Sequence, residues 1–216
     1  MGKDDEQVMV VNKDILFGDG YFQGFQPVGS SDYESRIMKH LHFMRRGDVE
    51  NNLRLDLKQP ISYLIIVNPS SQTVFAYQRP DKSGSMEKRH QGKWSWGVGG
   101  HINPCDSDDP LHASLYRELE EEVGVLRPNI KNLKVIGYIN DDVDSLGKDH
   151  FGILYAAETC LVELRPRKEE MAQGKFLSIG ELEEILRTPE VKVETWSQIA
   201  LDPLKKYFEA NGLRHN

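Results

Sequence analysis

Three carboxylates stand at positions i, i+3 and i+4 of the run Arg117-Glu118-Leu119-Glu120-Glu121-Glu122-Val123-Gly124-Val125. At about 100° per residue, Glu118, Glu121 and Glu122 share one helix face, and Glu120 falls on the far side. Leu115, Leu119 and Val123 form a neighbouring apolar stripe, which fixes the helix against a core and aims the carboxylates sideways. Two carboxylates about 5 Å apart repel by roughly 3 kcal/mol at an effective dielectric of about 20. A hard divalent cation removes that repulsion, and an all-oxygen donor set points to Mg²⁺ or Mn²⁺ rather than Zn²⁺. Such an ion neutralises substrate phosphate oxygens, holds them in line and acidifies a coordinated water, so the expected chemistry is phosphoryl transfer to water. The competing reading is a solvated acidic face on a surface helix. Gly124 at the end of the run favours the cation, as does the pair Gly99-Gly100 upstream, where backbone can approach a ligand.

These residues resemble the Nudix box, the motif Gly-x5-Glu-x7-Arg-Glu-U-x-Glu-Glu-x-Gly-U in which U is a bulky apolar residue. Arg117 to Val125 match its second half, and Gly100 fits its opening glycine. The first half departs. Asp106 stands six residues after Gly100, Asp109 stands eight before Arg117, and the spacing from Gly100 to Arg117 is three residues longer than the motif. The loop from His101 to Pro110 therefore carries an insertion, and either aspartate is a candidate for the missing glutamate. The resemblance implies an α/β/α sandwich with a mixed sheet and a pyrophosphohydrolase that cleaves a nucleoside diphosphate linked to another group. It also implies Mg²⁺ or Mn²⁺ on Glu118, Glu121 and Glu122, with the Gly99 carbonyl as a further ligand. Arg117 would orient the neighbouring glutamates through a salt bridge. The alternative within the family is a catalytically weak module that binds a nucleotide or regulates through it.

Further residues follow from what a phosphate substrate needs. Nudix enzymes often draw a further acid from a later loop, and Glu169 or Glu170 occupies the corresponding place; a general base need only reach the attacking water. Asp141, Asp142 and Asp144 form another acidic group, better read as turn formers. Arg79 and Arg89 are candidates for bidentate phosphate contacts, with Lys88, Lys93, Arg45 and Arg46 as weaker ones. His101, directly after the glycine pair, is placed to touch the metal or a phosphate. Cys105 follows His101 instead of preceding it, which disfavours the isomerase branch of the family, where a catalytic cysteine lies upstream of a comparable histidine.

The elements that must position these groups are legible in part. Strands are expected at Val8 to Val11, Tyr63 to Val67, Thr73 to Arg79, Trp94 to Val98, Leu133 to Asn140 and His150 to Ala157, with a short one at Phe176-Leu177. A capping-box spacing from Ser31 to Glu34 predicts a helix towards Phe43. Further helices are expected at Ile179 to Arg187 and Glu194 to Ala210. The expected organisation is a single domain, with residues 1–60 as an N-terminal elaboration, 61–188 as the core and 189–216 as a C-terminal helix. A net charge of −7 argues against general nucleic-acid binding. Two cysteines with no CxxC spacing read as free thiols of a reducing, cytoplasmic compartment, and no apolar run is long enough to span a membrane. The expected partner is a small nucleoside diphosphate derivative, and a homodimer is left open.

Overall fold

The structure is a computed structural model that describes residues 2–18, 20–51, 56–80, 91–106, 109–143, 147–164, 166 and 171–212. In chain order the elements are β1 (Gln7–Asn12), α1 (Lys13–Phe17), β2 (Gly24–Pro27), α2 (Tyr33–His40), β3 (His42–Arg45), α3 (Arg46–Glu50), β4 (Leu57–Asn68), β5 (Thr73–Gln78), β6 (Trp94–Ser95), α4 (Pro110–Val123), β7 (Ile130–Asn140), β8 (His150–Thr159), β9 (Gln173–Ser178), α5 (Ile179–Arg187) and α6 (Thr195–Gly212). The α/β class expected from the sequence is what is found. The chain forms two compact units: Met1–Tyr63 with Gly99–Leu115 and Gly137–Leu154, and Leu64–Val98 with Tyr116–Ile136 and Tyr155–Asn216.

In the first unit the strands lie in the order β2-β7-β8-β4-β1-β3. The antiparallel pair β1–β3 sets Met9 opposite Phe43, and β2 pairs with the end of β7. Val8, Val10, Val49 and Leu57 pack together, with Met44 against them. Phe17, Tyr33 and Phe151 form an aromatic cluster with Tyr138 of edge-to-face, tilted and, for Tyr138 on Phe151, stacked pairs, at centroid separations between 4.8 and 6.4 Å. The cap of α2 differs from the expected one by a residue. Asp32, not Ser31, is the N-cap, its carboxylate accepting the Ser35 N–H at 3.2 Å. Glu34 is thereby left to accept the Tyr138 hydroxyl at 2.6 Å. The helix stops at His40 rather than running to Phe43, because Phe43 is drawn into the β1–β3 ladder.

Strand β4 is longer than its apolar stretch, starting at Leu57 where the sequence pattern begins at Tyr63, and all twelve residues are buried. Two polar residues of its upstream half, Ser62 and Lys58, are satisfied by distant partners. Ser62 Oγ donates to the Leu111 carbonyl at 2.8 Å and lies 3.0 Å from Ser114 Oγ. The ammonium of Lys58, fully buried, meets Asp142 Oδ1 at 2.5 Å and the Gly147 carbonyl at 2.9 Å. Burial pushes its pKa down to about 8, against the pull of Asp142. Between about pH 8 and 10.5 a basic group depressed in this way has shed its proton in the folded state while the unfolded chain still holds it. Stability should therefore rise with pH between about 8 and the ordinary lysine value of 10.5, by up to about 3 kcal/mol. Urea unfolding at a series of pH values should show that rise, and Lys58→Met should remove it. An unaltered slope in the variant would contradict the assignment.

In the second unit β5 is the organising strand. It pairs antiparallel with β9 over its whole length, from Thr73 opposite Ser178 to Gln78 opposite Gln173, and also with the end of β4 and with β6. Asn68 shapes the turn into β5, its side-chain oxygen accepting the Ser70 and Ser71 N–H groups. The strand expected over Trp94 to Val98 keeps ladder pairing only at Trp94–Ser95, with Val98 in an isolated bridge to Leu64. The Trp96 N–H instead donates to the Ser197 hydroxyl at 3.0 Å. Helix α5 opens on a full capping box between Ser178 and Glu181.

Candidate active site

Helix α4 carries the acidic run, and its ends explain its register. The Asp109 carbonyl accepts the Ala113 N–H at 3.0 Å at the N-terminus, where Pro110 needs no donor partner. At the other end Gly124 takes a left-handed φ of +66°, and the Gly124 and Val125 N–H groups return to the Glu120 and Leu119 carbonyls at 3.2 and 3.1 Å. Leu111, Leu115, Leu119 and Val123 are buried and Glu120 is exposed, the phase that the apolar spacing predicts. The Arg117 Nη1 donates to Glu118 Oε1 at 2.6 Å and lies 3.5 Å from Glu121 Oε2. Glu118 and Glu122 are half-buried, whereas Glu121 is exposed. One guanidinium is thus shared between two carboxylates one helical turn apart.

Arg79, at the end of β5, is one of the phosphate candidates and is engaged by protein groups. Its Nε donates to Glu194 Oε1 at 3.0 Å, with both side chains nearly buried, and its guanidinium sits 4.9 Å above the Tyr77 ring. Burial works against its charge, but Tyr77, Glu194 and Glu122 more than offset this and raise its pKa. Arg79 is therefore a fixed cation whose field reaches Glu122. Glu194 was not foreseeable from spacing, since it lies 115 residues away in sequence.

The two replacement aspartates are both occupied locally. Asp106 is buried and accepts the Asn103 N–H at 2.7 Å, closing its own loop. Asp109 Oδ2 lies 2.8 Å from His112 Nδ1. At Gly99 the backbone that comes close is that of β4: a Cβ there would sit 2.3 Å from the Ser62 carbonyl oxygen. Gly99, Gly100 and His101 belong to the first unit, while Arg79, Arg117, Glu118, Glu121 and Glu122 belong to the second. Lys88, Arg89, Asp144, Glu169 and Glu170 lie outside the described residues.

His101 has gathered partners that local sequence does not announce. Its Nε2 lies 3.2 Å from His150 Nε2 and 3.5 Å from Glu50 Oε1. Burial opposes ionisation of Glu50, yet the His101 contact and the charge of Arg46 hold its carboxyl down at about 2. Burial also lowers the pKa of His101. Among the described residues, Glu50, His101 and His150 form the group of three whose ligand atoms all lie within 4.8 Å of one another. The carboxylates of α4 are spread more widely. As a hard oxygen donor set they still fit in kind a cation such as Mg²⁺, which takes one or two carboxylates and retains waters.

Comparison with known proteins settles the class. The NUDIX domain family matches residues 58–196. Protein YmaB of Bacillus subtilis (strain 168) is 35% identical over 222 aligned residues, which cover 95% of this chain and 100% of YmaB. Among solved structures, Tm1382, a protein assigned to the Nudix hydrolases, superposes with a TM-score of 0.75 at 25% identity, over 94% of this chain and 100% of its own. The NUDIX domain of Shewanella oneidensis NrtR, solved with ADP-ribose, shares the fold at a TM-score of 0.53 and 14% identity, over 69% of this chain and 88% of its own. The chain belongs to the Nudix family. Among the described residues no helix is long and apolar enough to cross a membrane.

Proposed function

We propose that this chain is a metal-dependent pyrophosphohydrolase that cleaves the phosphoanhydride bond of a nucleoside diphosphate linked to another moiety. Glu118, Glu121 and Glu122 would hold the Mg²⁺ or Mn²⁺. The observation that carries this reading is the helix face itself. Its apolar stripe is buried, and Arg117 is shared between Glu118 and Glu121, as a positioning cation behind metal ligands would be. When bound, the cation supplies neutralisation of the phosphate oxygens and a more acidic water. The chain's own residues fix the geometry: Arg117 restrains the carboxylates, and the charge of Arg79 favours an ionised Glu122. The exposed free thiols Cys105 and Cys160 suit a reducing, cytoplasmic setting.

A second reading has its own support. No glutamate stands at either place for the first box acid, and both nearby aspartates are engaged locally, Asp106 by the Asn103 N–H and Asp109 by His112 at the start of α4, which suits a nucleotide-binding or regulatory module. One panel separates the two. ADP-ribose, dinucleotide polyphosphates and nucleotide sugars are incubated with the protein under Mg²⁺ and then Mn²⁺, with products resolved by ion-exchange chromatography. ADP-ribose is included because the NrtR domain holds it. Turnover of at least one compound is expected. Calorimetric binding without turnover under either metal would select the module.

A further inference from the structure

We propose that Glu50, His101 and His150 form a binding site for a divalent transition cation, of which Zn²⁺ is the best match, built from residues outside the acidic helix. The donor types decide the class of ion. Two imidazole nitrogens and one carboxylate oxygen suit a borderline metal such as Zn²⁺, whereas Mg²⁺ prefers oxygen donors alone. The spacing agrees. With metal–ligand bonds of about 2.0–2.1 Å at tetrahedral angles, neighbouring donor atoms lie roughly 3.3 Å apart. Here the two histidine Nε2 atoms are 3.2 Å apart, and His101 Nε2 is 3.5 Å from Glu50 Oε1. Three protein ligands leave a fourth position for water or for an oxygen of a bound molecule, the pattern of an open site.

The surroundings are prepared for such an ion. Arg46 Nε donates to Glu50 Oε1 at 2.9 Å and Arg46 Nη1 lies 3.3 Å from Glu6 Oε2, while Asn103 Nδ2 donates to Glu6 Oε1 at 3.1 Å. Glu6, Arg46 and Glu50 together carry one net negative charge, and the arginine holds the ligand carboxylate in place. A second observation points the same way. Asn103 stands two residues past His101 with its amide joined to the Glu6–Arg46–Glu50 network, and Gln59 stands two residues before Ile61, the bridge partner of His101. Gln59 is fully buried with neither amide atom hydrogen-bonded, and the Asn103 Oδ1 is likewise buried without a partner. Orphaned polar atoms of this kind cost roughly 1–3 kcal/mol each and mark a place where water or a ligand completes the structure. The rival account is a pair of neutral histidines sharing one hydrogen bond, which needs no ion.

The test uses the full chain, stripped of metal by chelation and titrated with Co²⁺ as a visible probe and with Zn²⁺ by calorimetry. One equivalent of Co²⁺ is expected to give the strong visible bands of a four-coordinate ion, and Zn²⁺ should displace it. His150→Gln and Glu50→Gln should each weaken Zn²⁺ binding by at least about tenfold, the lower end of what disturbing a metal site costs. The pair Glu121→Gln with Glu122→Gln should leave the cobalt bands in place, which separates this site from the acidic helix. Circular dichroism of the metal-free variants checks folding. If either variant fails that check, the unmodified protein decides through its cobalt spectrum and its zinc content after purification without chelator. Absence of four-coordinate bands in the unmodified protein would overturn the site, as would Zn²⁺ affinity unchanged by His150→Gln.

Discussion

Replacing Glu121 and Glu122 together by glutamine is expected to lower kcat/KM under Mg²⁺ by about 10³-fold, the rate equivalent of roughly 4 kcal/mol of lost charge stabilisation. The substitution keeps side-chain size and leaves the buried stripe of Leu115, Leu119 and Val123 untouched, so the fold should persist. Mn²⁺ affinity, read by electron paramagnetic resonance of the free ion, should fall in parallel. Glu120→Gln is the matched control. Glu120 is exposed on another face of α4, and its loss should change activity by less than about twofold, within the range of an ordinary surface substitution. Arg117→Met should give an intermediate loss, about 10- to 100-fold, because it removes one restraint from Glu118 and Glu121 without removing a ligand. A double variant that binds Mn²⁺ as the parent does would sink the ligand assignment. A large loss at Glu120 would show that the helix presents a different face.

The parts of this molecule that could be read from sequence are those fixed by neighbours in the chain. The phase of α4 follows from apolar spacing and a closing glycine, and α5 begins where its capping box stands, at Ser178. The upstream half of β4 was hidden by its composition. Lys58, Gln59 and Ser62 look like loop residues, and Lys58 and Ser62 are buried because Asp142 and Leu111 come from elsewhere to meet them. Strands β2 and β3 are four residues each and exist through pairing with β7 and β1, which no local pattern records. The same division holds among candidate functional groups. His101 was conspicuous beside its glycines. Its partners were not, because Glu50 closes a five-residue helix and His150 opens a strand 49 residues further on. Chemistry carried on one helix is visible as spacing, and chemistry assembled across a sheet is not.

Arg79→Met is expected to destabilise the protein by about 3–5 kcal/mol, the typical cost of stripping one partner from a buried ion pair. The magnitude follows from what is left behind. Glu194 has a side chain only 8% exposed, and without the guanidinium its carboxylate loses its 3.0 Å donor. Arg79→Lys keeps the charge but gives up the flat contact with the Tyr77 ring, 4.9 Å away, and should cost less. The double variant Arg79→Met with Glu194→Met should regain most of the loss, since replacing both partners by apolar groups also removes the buried carboxylate that has lost its guanidinium. Urea denaturation of the four proteins measures these differences, and a cost below about 1 kcal/mol for the single variant would mean that water reaches Glu194. The readout extends to the acidic helix. Glu122 is one of the charges that hold Arg79 protonated, so by reciprocity the cation favours the ionised form of Glu122. In the double variant, with the fold restored and the cation gone, the acid limb of the pH–rate profile should move upward. A limb that stays where it was would assign Arg79 to stability alone.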